Sequence, residues 1–289
     1  MRLIGLMLVR NEEWAVRAAL KTALCWCDAV SVLMDRCTDG TAGIVREIAY
    51  DEGYARVPYE FTTRENLWME MDHRQRSLET GRAIGGTHFA VIDGDEVLTA
   101  NLFGRGREWF EMLKPGEVLE LPRIAPTSFD AYWDDNHEHA QGALTLGFCD
   151  RPDLAWRPRG PERYHFHARP PAGSGPIQMP LGRDRSQGGV MHLQYMNRNR
   201  MRAKSLWYML NERVRWPERK TPRELNAIYS AMLDTPQVTR PIPPEWWTEE
   251  KALINHNESE SWHLQECREM IKTYGRKILD GLNTHGYEM

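Results

Sequence analysis

An apolar run that ends abruptly in acidic side chains, at residues 88–96, most constrains how this chain can fold. The run HFAVI has the composition of a buried β-strand, and Asp93, Gly94, Asp95 and Glu96 follow it. Side chains two apart on an extended chain point the same way, so Asp93 and Asp95 can reach one ligand. Oxygen ligands grouped in this way suit Mg²⁺ or Mn²⁺, and a solvated acidic turn is the alternative.

Strand and helix patterns alternate in the part of the chain before this acidic tip. Apolar, strand-like runs occupy residues 3–9 and 29–34, a third is expected near 54–59, and a helical pattern follows each of them. Such alternation predicts an α/β fold with a mostly parallel central sheet and helices on both faces. Ligands bind beyond the carboxyl ends of such strands, and the polar residues there should converge on one crevice. These residues are Arg10, Asn11, Asp35 and Asp93.

The C-terminal third of the sequence has a different pattern. Helices are expected over about 198–215, 222–233 and 258–282, with a stiff, proline-containing connector at residues 236–244. We therefore predict a core of residues 1–196 and a helical C-terminal region of residues 197–289 packed on it.

Composition places the chain among ordinary globular proteins. It has 289 residues, 41% of them hydrophobic and 27% charged, and a net charge of −4, which excludes polyanion binding over the whole surface. Five cysteines without a CxxC pair favour reduced thiols. No apolar run approaches the ~20 residues that span a bilayer, and the N-terminus has no signal-peptide pattern. We expect a cytoplasmic protein without a transmembrane segment.

Three motifs, taken in order, resemble the GT-A glycosyltransferases, and most closely the family-2-type enzymes. They are LVRNEE at residues 8–13, DAVSVLMDRCTDGT at residues 28–41 and VIDGDE at residues 91–96, the last resembling the DxD motif. The resemblance covers residues 1 to about 100 and fades beyond residue 125. It implies a Rossmann-like GT-A fold, which would carry the helical region as a C-terminal extension.

The resemblance also implies a nucleotide-diphosphate sugar donor and a divalent metal, Mn²⁺ or Mg²⁺. The implied donor-binding residues are Arg10, Asn11, Glu13, Asp35, Arg76 and Asp93. Members of the family often have an arginine near the donor phosphates, on the helix before the DxD strand. Arg76 is the best match and Arg74 the second, with a solvated helix face as the alternative. Arg36 and Cys37 depart from the family pattern directly after Asp35.

Metal ligands and a catalytic base are implied in the same way. Asp93 and Asp95 would bind the metal with His192, a late histidine for which packing in the core is the alternative. Inverting transfer needs a carboxylate that takes the proton of the acceptor hydroxyl. The candidates are Asp134 and Asp135 in an acidic, aromatic loop, which lacks the Glu-Asp pair usual in the family. A solvated acidic loop is the alternative.

The expected function is metal-dependent, inverting transfer of a hexosyl or pentosyl group from a nucleotide-diphosphate sugar. A sugar-phosphate nucleotidyltransferase is one alternative, although residues 8–13 lack the glycines of its usual phosphate loop; a non-catalytic binding module is another. The acceptor could be a polyanionic polymer or nucleic acid bound at residues 196–223, where nine basic residues accompany two acidic ones. Four of the basic residues are Arg198, Arg200, Arg202 and Lys204, and a solvated helix face is the alternative.

Overall fold

The structure, a computed structural model, describes residues 1–62, 70–134, 142–157, 169–230, 233, 238–255 and 261–289. Within these ranges the chain forms one large sheet, one two-stranded sheet and seven α-helices. The predicted class is confirmed: an α/β fold with a mostly parallel central sheet, flanking helices and a largely helical C-terminal region.

The strands in chain order are β1 (Leu3–Val9), β2 (Ala29–Asp35), β3 (Tyr59–Thr62), β4 (His88–Asp93), β5 (Glu96–Leu98), β6 (Val118–Ile124), β7 (Ala131–Trp133), β8 (Ala143–Cys149), β9 (Ile177–Gln178), β10 (Val190–His192) and β11 (Thr239–Pro241). The helices are α1 (Val16–Leu24), α2 (Thr41–Glu52), α3 (Glu70–Ala83), α4 (Phe103–Met112), α5 (Arg198–Arg215), α6 (Pro222–Tyr229) and α7 (Trp262–Tyr274). Short 3₁₀ turns join several of these elements.

The large sheet has the strand order β3-β2-β1-β4-β8-β6-β10-β5, and β9 pairs with β6. The first four strands are parallel, whereas β8 runs antiparallel to both of its neighbours. Leu8 of β1 lies opposite Leu33 of β2 and Asp93 of β4. The carboxyl ends of these three strands therefore meet at one edge, as the sequence predicts.

Helices cover both faces of the parallel part of the sheet. Every residue of β1 and β2 is buried, which explains their uninterrupted apolar sequences. Ile4 and Leu6 belong to the same apolar cluster as Leu78 of α3, and Met7 packs on the opposite face with Leu20 of α1. The two layers hold the strand ends rigidly, so the polar residues that follow the strands start from fixed positions.

Three predicted element boundaries are wrong: the helix expected over 222–233 ends at Tyr229, and glycine explains the other two. The third strand was expected near 54–59, but α2 ends at Gly53, whose φ is 90°, and a turn from Gly53 to Arg56 delays β3 to residue 59. The last helix was expected to reach residue 282, but it ends at Gly275, whose φ is 83°.

The C-terminal region packs against the core along several elements. Helices α5, α6 and α7 share an apolar cluster that includes Leu206, Leu225 and Cys267. Strand β11 pairs with β7, so the region also contributes to a small sheet. The boundary between residues 196 and 197 stays a prediction. None of the helices in the described ranges has the length and apolarity that crossing a membrane requires.

Candidate functional site

A cavity of about 350 Å³ lies at the carboxyl ends of β1 and β4, between the core and the C-terminal helices. The core contributes Arg10, Glu12, Arg74, Asp93, Asp95, Glu96, Arg169 and His192 to its lining. Helices α5, α6 and α7 contribute Lys204, Trp207, Tyr208, Tyr229, Trp262 and His263. The cavity is therefore the crevice expected at the end of the parallel strands, closed on one side by the C-terminal region.

Asp93, the last residue of β4, accepts hydrogen bonds from two arginines. Its Oδ1 accepts from Arg74 Nη2 at 3.2 Å, and its Oδ2 accepts from Arg169 Nη1 at 3.3 Å. Burial raises the pKa of Asp93, but Arg74 and Arg169 lower it by more, so the pKa lies below its ordinary value. Asp93 is thus an ionised carboxylate with both oxygens paired.

Arg169 also forms a bidentate ion pair with Glu96, with both N–O distances at 2.7 Å. Its Nη2 donates a further bond to the carbonyl oxygen of Val91 at 2.8 Å, and Glu96 Oε2 accepts from the backbone N–H of Asp93 at 3.1 Å. These bonds fix the strand end that carries the acidic motif. Sequence reasoning missed Arg169, because its loop carries no local signal that points to β4.

Asp95 lies deeper, past a glycine that has no room for a side chain. A Cβ atom on Gly94 would lie 2.5 Å from Val9 Cγ1, so the close packing of β1 requires glycine there. Asp95 Oδ2 is buried and accepts no hydrogen bond from the described residues, but it lies 3.4 Å from His192 Nε2 and 4.0 Å from Lys204 Nζ. Burial raises the pKa of Asp95, and His192 and Lys204 outweigh it, so this pKa lies well below its ordinary value.

His192 reaches this position through strand pairing. It ends β10, which runs antiparallel to β5 and places His192 opposite Glu96. Gln194 lies between His192 and Lys204: its Nε2 is 3.4 Å from His192 Nδ1, and its Oε1 accepts from Lys204 Nζ at 3.0 Å. Asp95, His192, Gln194 and Lys204 therefore form a closed ring of polar contacts.

The residues around Asp95 fit a divalent metal that is held jointly by protein and ligand. No group of three or more His, Cys, Asp and Glu side chains in the described ranges forms a metal site by itself. Mg²⁺ and similar ions, however, often use one or two protein ligands and complete their shell with phosphates and water. The 3.4 Å between Asp95 Oδ2 and His192 Nε2 is near the ~3 Å that separates adjacent ligands of one such ion. Asp95 and His192 would hold the ion, whereas the oxygens of Asp93 already face arginines.

Glu12 is a further carboxyl group of the cavity, and sequence reasoning missed its role. Its Oε2 accepts from Trp14 Nε1 at 2.5 Å and from Arg200 Nη2 at 2.8 Å. Burial raises the pKa of Glu12 to about 7, although Arg200 acts in the opposite direction. Its place in LVRNEE gave no sign of this role, because its partner Arg200 comes from the distant helix α5.

Arg10 lies in the cavity as expected and is held by the C-terminal region. Its guanidinium group lies 4.9 Å from the ring centre of Trp262 on α7 and forms an ion pair with Glu266. Its Nε is 3.9 Å from Asp35 Oδ2. Arg10 is therefore a cation fixed in place beside the ends of β1 and β2.

Asn11 and Glu13 join the end of β1 to the loop after β2 and do not line the cavity. Asn11, with a φ of 53°, accepts from the backbone N–H of Thr38 at 2.7 Å through Oδ1. Glu13 Oε2 accepts from the N–H of Gly40 at 2.7 Å. These hydrogen bonds hold the loop after β2 in place. Contact of Asn11 and Glu13 with a nucleotide-sugar donor stays a prediction.

Asp35 is buried at the end of β2, next to the cavity. It accepts hydrogen bonds from Thr62 Oγ1 and, at 3.0 Å, from Arg36 Nη2. Burial raises the pKa of Asp35, but these two partners lower it by more, so the pKa is below its ordinary value. Arg36, which departs from the family pattern, is thus the partner of Asp35. Contact between Asp35 and a nucleotide-sugar donor stays a prediction.

Of the two arginines of α3, the structure places Arg74 in the cavity and Arg76 outside it. Arg76, the preferred match, is 49% exposed and pairs with Glu60 Oε2 at 2.5 Å. Arg74 is 5% exposed, lines the cavity and bonds Asp93. Residues two apart on a helix lie on different faces, so only one of them can point towards the strand ends.

Of the two carboxylates proposed as the base, the structure describes only Asp134. Asp134 forms ion pairs with Arg185 and with Arg240 of β11, and its side chain is only 8% exposed. It is not among the residues that line the cavity. Asp135 lies outside the described residues.

The basic segment at the start of α5 is not a continuous landing surface, contrary to the hypothesis of a polyanion site. Arg200 is 3% exposed and bonds Glu12, and Lys204 lines the cavity. Arg198 is exposed, and its guanidinium donates to the carbonyl oxygen of Leu233. Helical geometry turns these side chains to different faces, and two of them serve as internal counter-charges.

Fold and cavity together define the class: an α/β protein with a charged, metal-compatible site at the ends of its parallel strands. No family model matches the chain, and no curated protein matches it. Among solved structures, it is similar in part to glucosyl-3-phosphoglycerate synthase from Mycobacterium tuberculosis. The complex with Mn²⁺, UDP and glucosyl-3-phosphoglycerate is 20% identical, with 43% of this chain and 44% of that chain covered and a TM-score of 0.31.

The complex of the same enzyme with Mg²⁺ and UDP gives 20% identity, 43% coverage of both chains and a TM-score of 0.30. A Bacillus anthracis protein, proposed to be a glucose-1-phosphate thymidylyltransferase, is 11% identical, with 51% of this chain and 69% of that chain covered and a TM-score of 0.30. The match spans less than half of the mycobacterial enzyme.

Proposed function

We propose that the protein is a metal-dependent glycosyltransferase that uses a nucleotide-diphosphate sugar as donor. The observation that carries this proposal is that the buried Asp95 and its neighbour His192 lie beside Arg74 and Arg169 in one cavity at the strand ends. Two possible ligands for a divalent ion lie next to guanidinium groups that can bind phosphate oxygens, and a diphosphate with its ion needs both. The three sequence motifs, in their order and spacing, support the same reading.

Each cavity residue has a role in this proposal. Asp95 and His192 would hold Mn²⁺ or Mg²⁺, which when bound supplies positive charge to a departing diphosphate. Arg74, released from one oxygen of Asp93, binds the donor phosphates, and Arg10 lies where the nucleoside would enter beside Asp35. Arg169 holds Asp93 and Glu96 in place.

Glu12 is the residue that we propose as proton acceptor for the attacking hydroxyl. A general base works best when its pKa is near the working pH, and Glu12 combines such a pKa, about 7, with a place in the cavity. Asp134 is paired with two arginines outside the cavity, which favours Glu12 over it. Asp135, the inverting outcome and the hexosyl or pentosyl identity of the sugar stay predictions.

Thermal unfolding with a panel of nucleoside diphosphates and nucleotide sugars, each with Mn²⁺ or with excess chelator, tests the proposal. A ligand that binds only the folded state raises its apparent stability, and we expect one nucleotide to do so only with Mn²⁺. Asp95→Asn should abolish the part of the thermal stabilisation by nucleotide that depends on the metal. Asp153→Asn, at an exposed ion pair with Arg151, is the matched control and should behave as the wild type.

Three other outcomes would point elsewhere. Equal stabilisation in chelator would contradict the metal site and favour a non-catalytic binding module. Pyrophosphate release from a nucleoside triphosphate and a sugar phosphate would identify a nucleotidyltransferase. The absence of any nucleotide effect would refute the proposal.

A further inference from the structure

A lysine of the C-terminal region lies next to the carboxylate oxygen at which a metal ion would bind. Lys204 extends from α5 to within 4.0 Å of Asp95 Oδ2, the buried oxygen that accepts no hydrogen bond from the described residues. The ammonium group also donates to Gln194 Oε1 at 3.0 Å. Asp95 therefore already has a cation of the protein beside it.

The polarity of the ring around Asp95 follows from the chemistry of the ammonium group. An ammonium group can only donate, so the carbonyl oxygen of Gln194 must face Lys204, and its amide nitrogen must face His192 Nδ1. With Nδ1 as the acceptor, a neutral His192 carries its hydrogen on Nε2, the nitrogen next to Asp95. In this arrangement the ring places a cation and a hydrogen-bond donor at Asp95, so Lys204 has to move away and His192 Nε2 has to lose its hydrogen before an ion can bind.

Metal binding would exchange donor and acceptor between His192 and Gln194 and would displace Lys204. A ligating imidazole nitrogen must offer its lone pair, and its other nitrogen then donates to a neighbouring acceptor. Gln194 can accept that bond only by turning its oxygen from Lys204 to His192 Nδ1. Lys204 would then lose both its acceptor and, through repulsion by the ion, its place beside Asp95.

We propose that Lys204 is a resident cation that pairs with Asp95 in the donor-free protein and moves to the donor's diphosphate when a divalent ion takes its place. The inference rests on the proposed function, because it assumes a metal at Asp95 and His192. Ion and diphosphate would then bind cooperatively, since each removes an obstacle to the other. Lys204 is a donor-binding residue in this scheme, because its ammonium group contacts the diphosphate once the ion is bound.

The surroundings of Lys204 allow the side chain to move while its helix stays fixed. Arg200, one turn earlier on the same face of α5, is buried and bonds Glu12 Oε2 and the carbonyl oxygen of Asn11. These bonds anchor the helix to the end of β1. Lysine carries a compact charge on a flexible stem, which suits a group that changes partners.

Titration of the nucleotide-free protein with Mn²⁺, followed by electron paramagnetic resonance of the free ion, tests the inference without a turnover assay. Lys204→Met should bind Mn²⁺ about tenfold more tightly than the wild type, because a like charge next to the ion is gone. Lys204→Arg keeps the charge and should stay close to the wild type. Arg202→Met, two residues away and outside the cavity lining, is the control for the loss of one charge on α5.

Calorimetry with UDP and GDP as probes completes the test. In saturating Mn²⁺, Lys204→Met should bind the accepted nucleotide about tenfold more weakly than the wild type, so the cooperativity between ion and nucleotide is lost. If Lys204→Met does not fold, Lys204→Gln replaces it, with the same expectations. Equal Mn²⁺ affinity of wild type and neutral variant would overturn the inference and leave the proposed function standing. If neither binds Mn²⁺, with or without nucleotide, both are overturned.

Discussion

Replacing Glu12 by Gln should remove a large part of the pH dependence of stability. The wild-type carboxyl is buried between Trp14 and Arg200, and burial raises its pKa from 4.5 to about 7. Below about pH 4.5 the Glu12 carboxyl is protonated in both the folded and the unfolded chain, so its titration does not change the free energy of unfolding. As the pH rises the unfolded chain ionises first, so the folded state loses stability until the pH passes 7.

The magnitude follows from linkage between the two pKa values. The pKa of Glu12 is 4.5 in the unfolded chain and about 7 in the folded protein. Its ionisation therefore lowers the free energy of unfolding by about 2.5 kcal/mol between pH 5 and pH 8. Gln does not titrate, and its amide oxygen can still accept from Trp14 Nε1 and Arg200 Nη2. The stability of Glu12→Gln relative to the wild type should therefore rise by about 2.5 kcal/mol over this range, or roughly 5 °C in Tm.

Guanidinium denaturation at pH 5 and pH 8 measures this difference directly, with all other groups common to both proteins. Glu47→Gln is the control: the hydrogen bond from Arg17 lowers the pKa of that exposed carboxyl, so Glu47 is largely ionised in both the folded and the unfolded chain over this range, and the variant should follow the pH profile of the wild type. Parallel pH profiles for wild type and Glu12→Gln would refute the reasoning, since they would mean that Glu12 is ionised in the fold at both pH values.

Further predictions concern the arginines around Asp93. Arg74→Gln should raise the KM for the donor by about tenfold or more, whereas Arg76→Gln, at an exposed ion pair, should change KM less than twofold in steady-state kinetics. Equal effects would contradict the assignment of Arg74. Arg169→Met should lower the free energy of unfolding by about 3–5 kcal/mol, because Glu96 loses its buried counter-charge. The double variant with Glu96→Gln should recover part of that loss, and strict additivity of the two changes would argue against the pair.

The strand ends could be predicted from the sequence because local signals set them. An apolar run followed by a polar residue marks where a buried strand leaves the core, and Arg10, Asp35 and Asp93 were found at such positions. Parallel pairing in register then brings the three ends together. Helix α5 was predicted over its full length for a similar reason, since long helical patterns are strong signals.

The partners of these residues could not be predicted, because they come from distant parts of the chain. Arg169 reaches Asp93 and Glu96 from a loop rich in Pro and Gly, and nothing in its local sequence indicates the direction of its side chain. Lys204 belongs to a run of basic residues that favoured an exposed surface. Its helix instead crosses the strand ends, so the same charges became internal counter-ions.

Helix α5 couples the two buried carboxylates of the core. Arg200 and Lys204, one turn apart, face Glu12 and Asp95, respectively. Burial raises the pKa of Glu12, Arg200 and Lys204 lower it, and the negative charge of Asp95 raises it. Any gain of positive charge at Asp95 therefore favours the ionised form of Glu12. In the function that we propose, Glu12 would therefore become available as proton acceptor when the cation that accompanies the donor is in place, and α5 would provide that link because it carries both counter-charges.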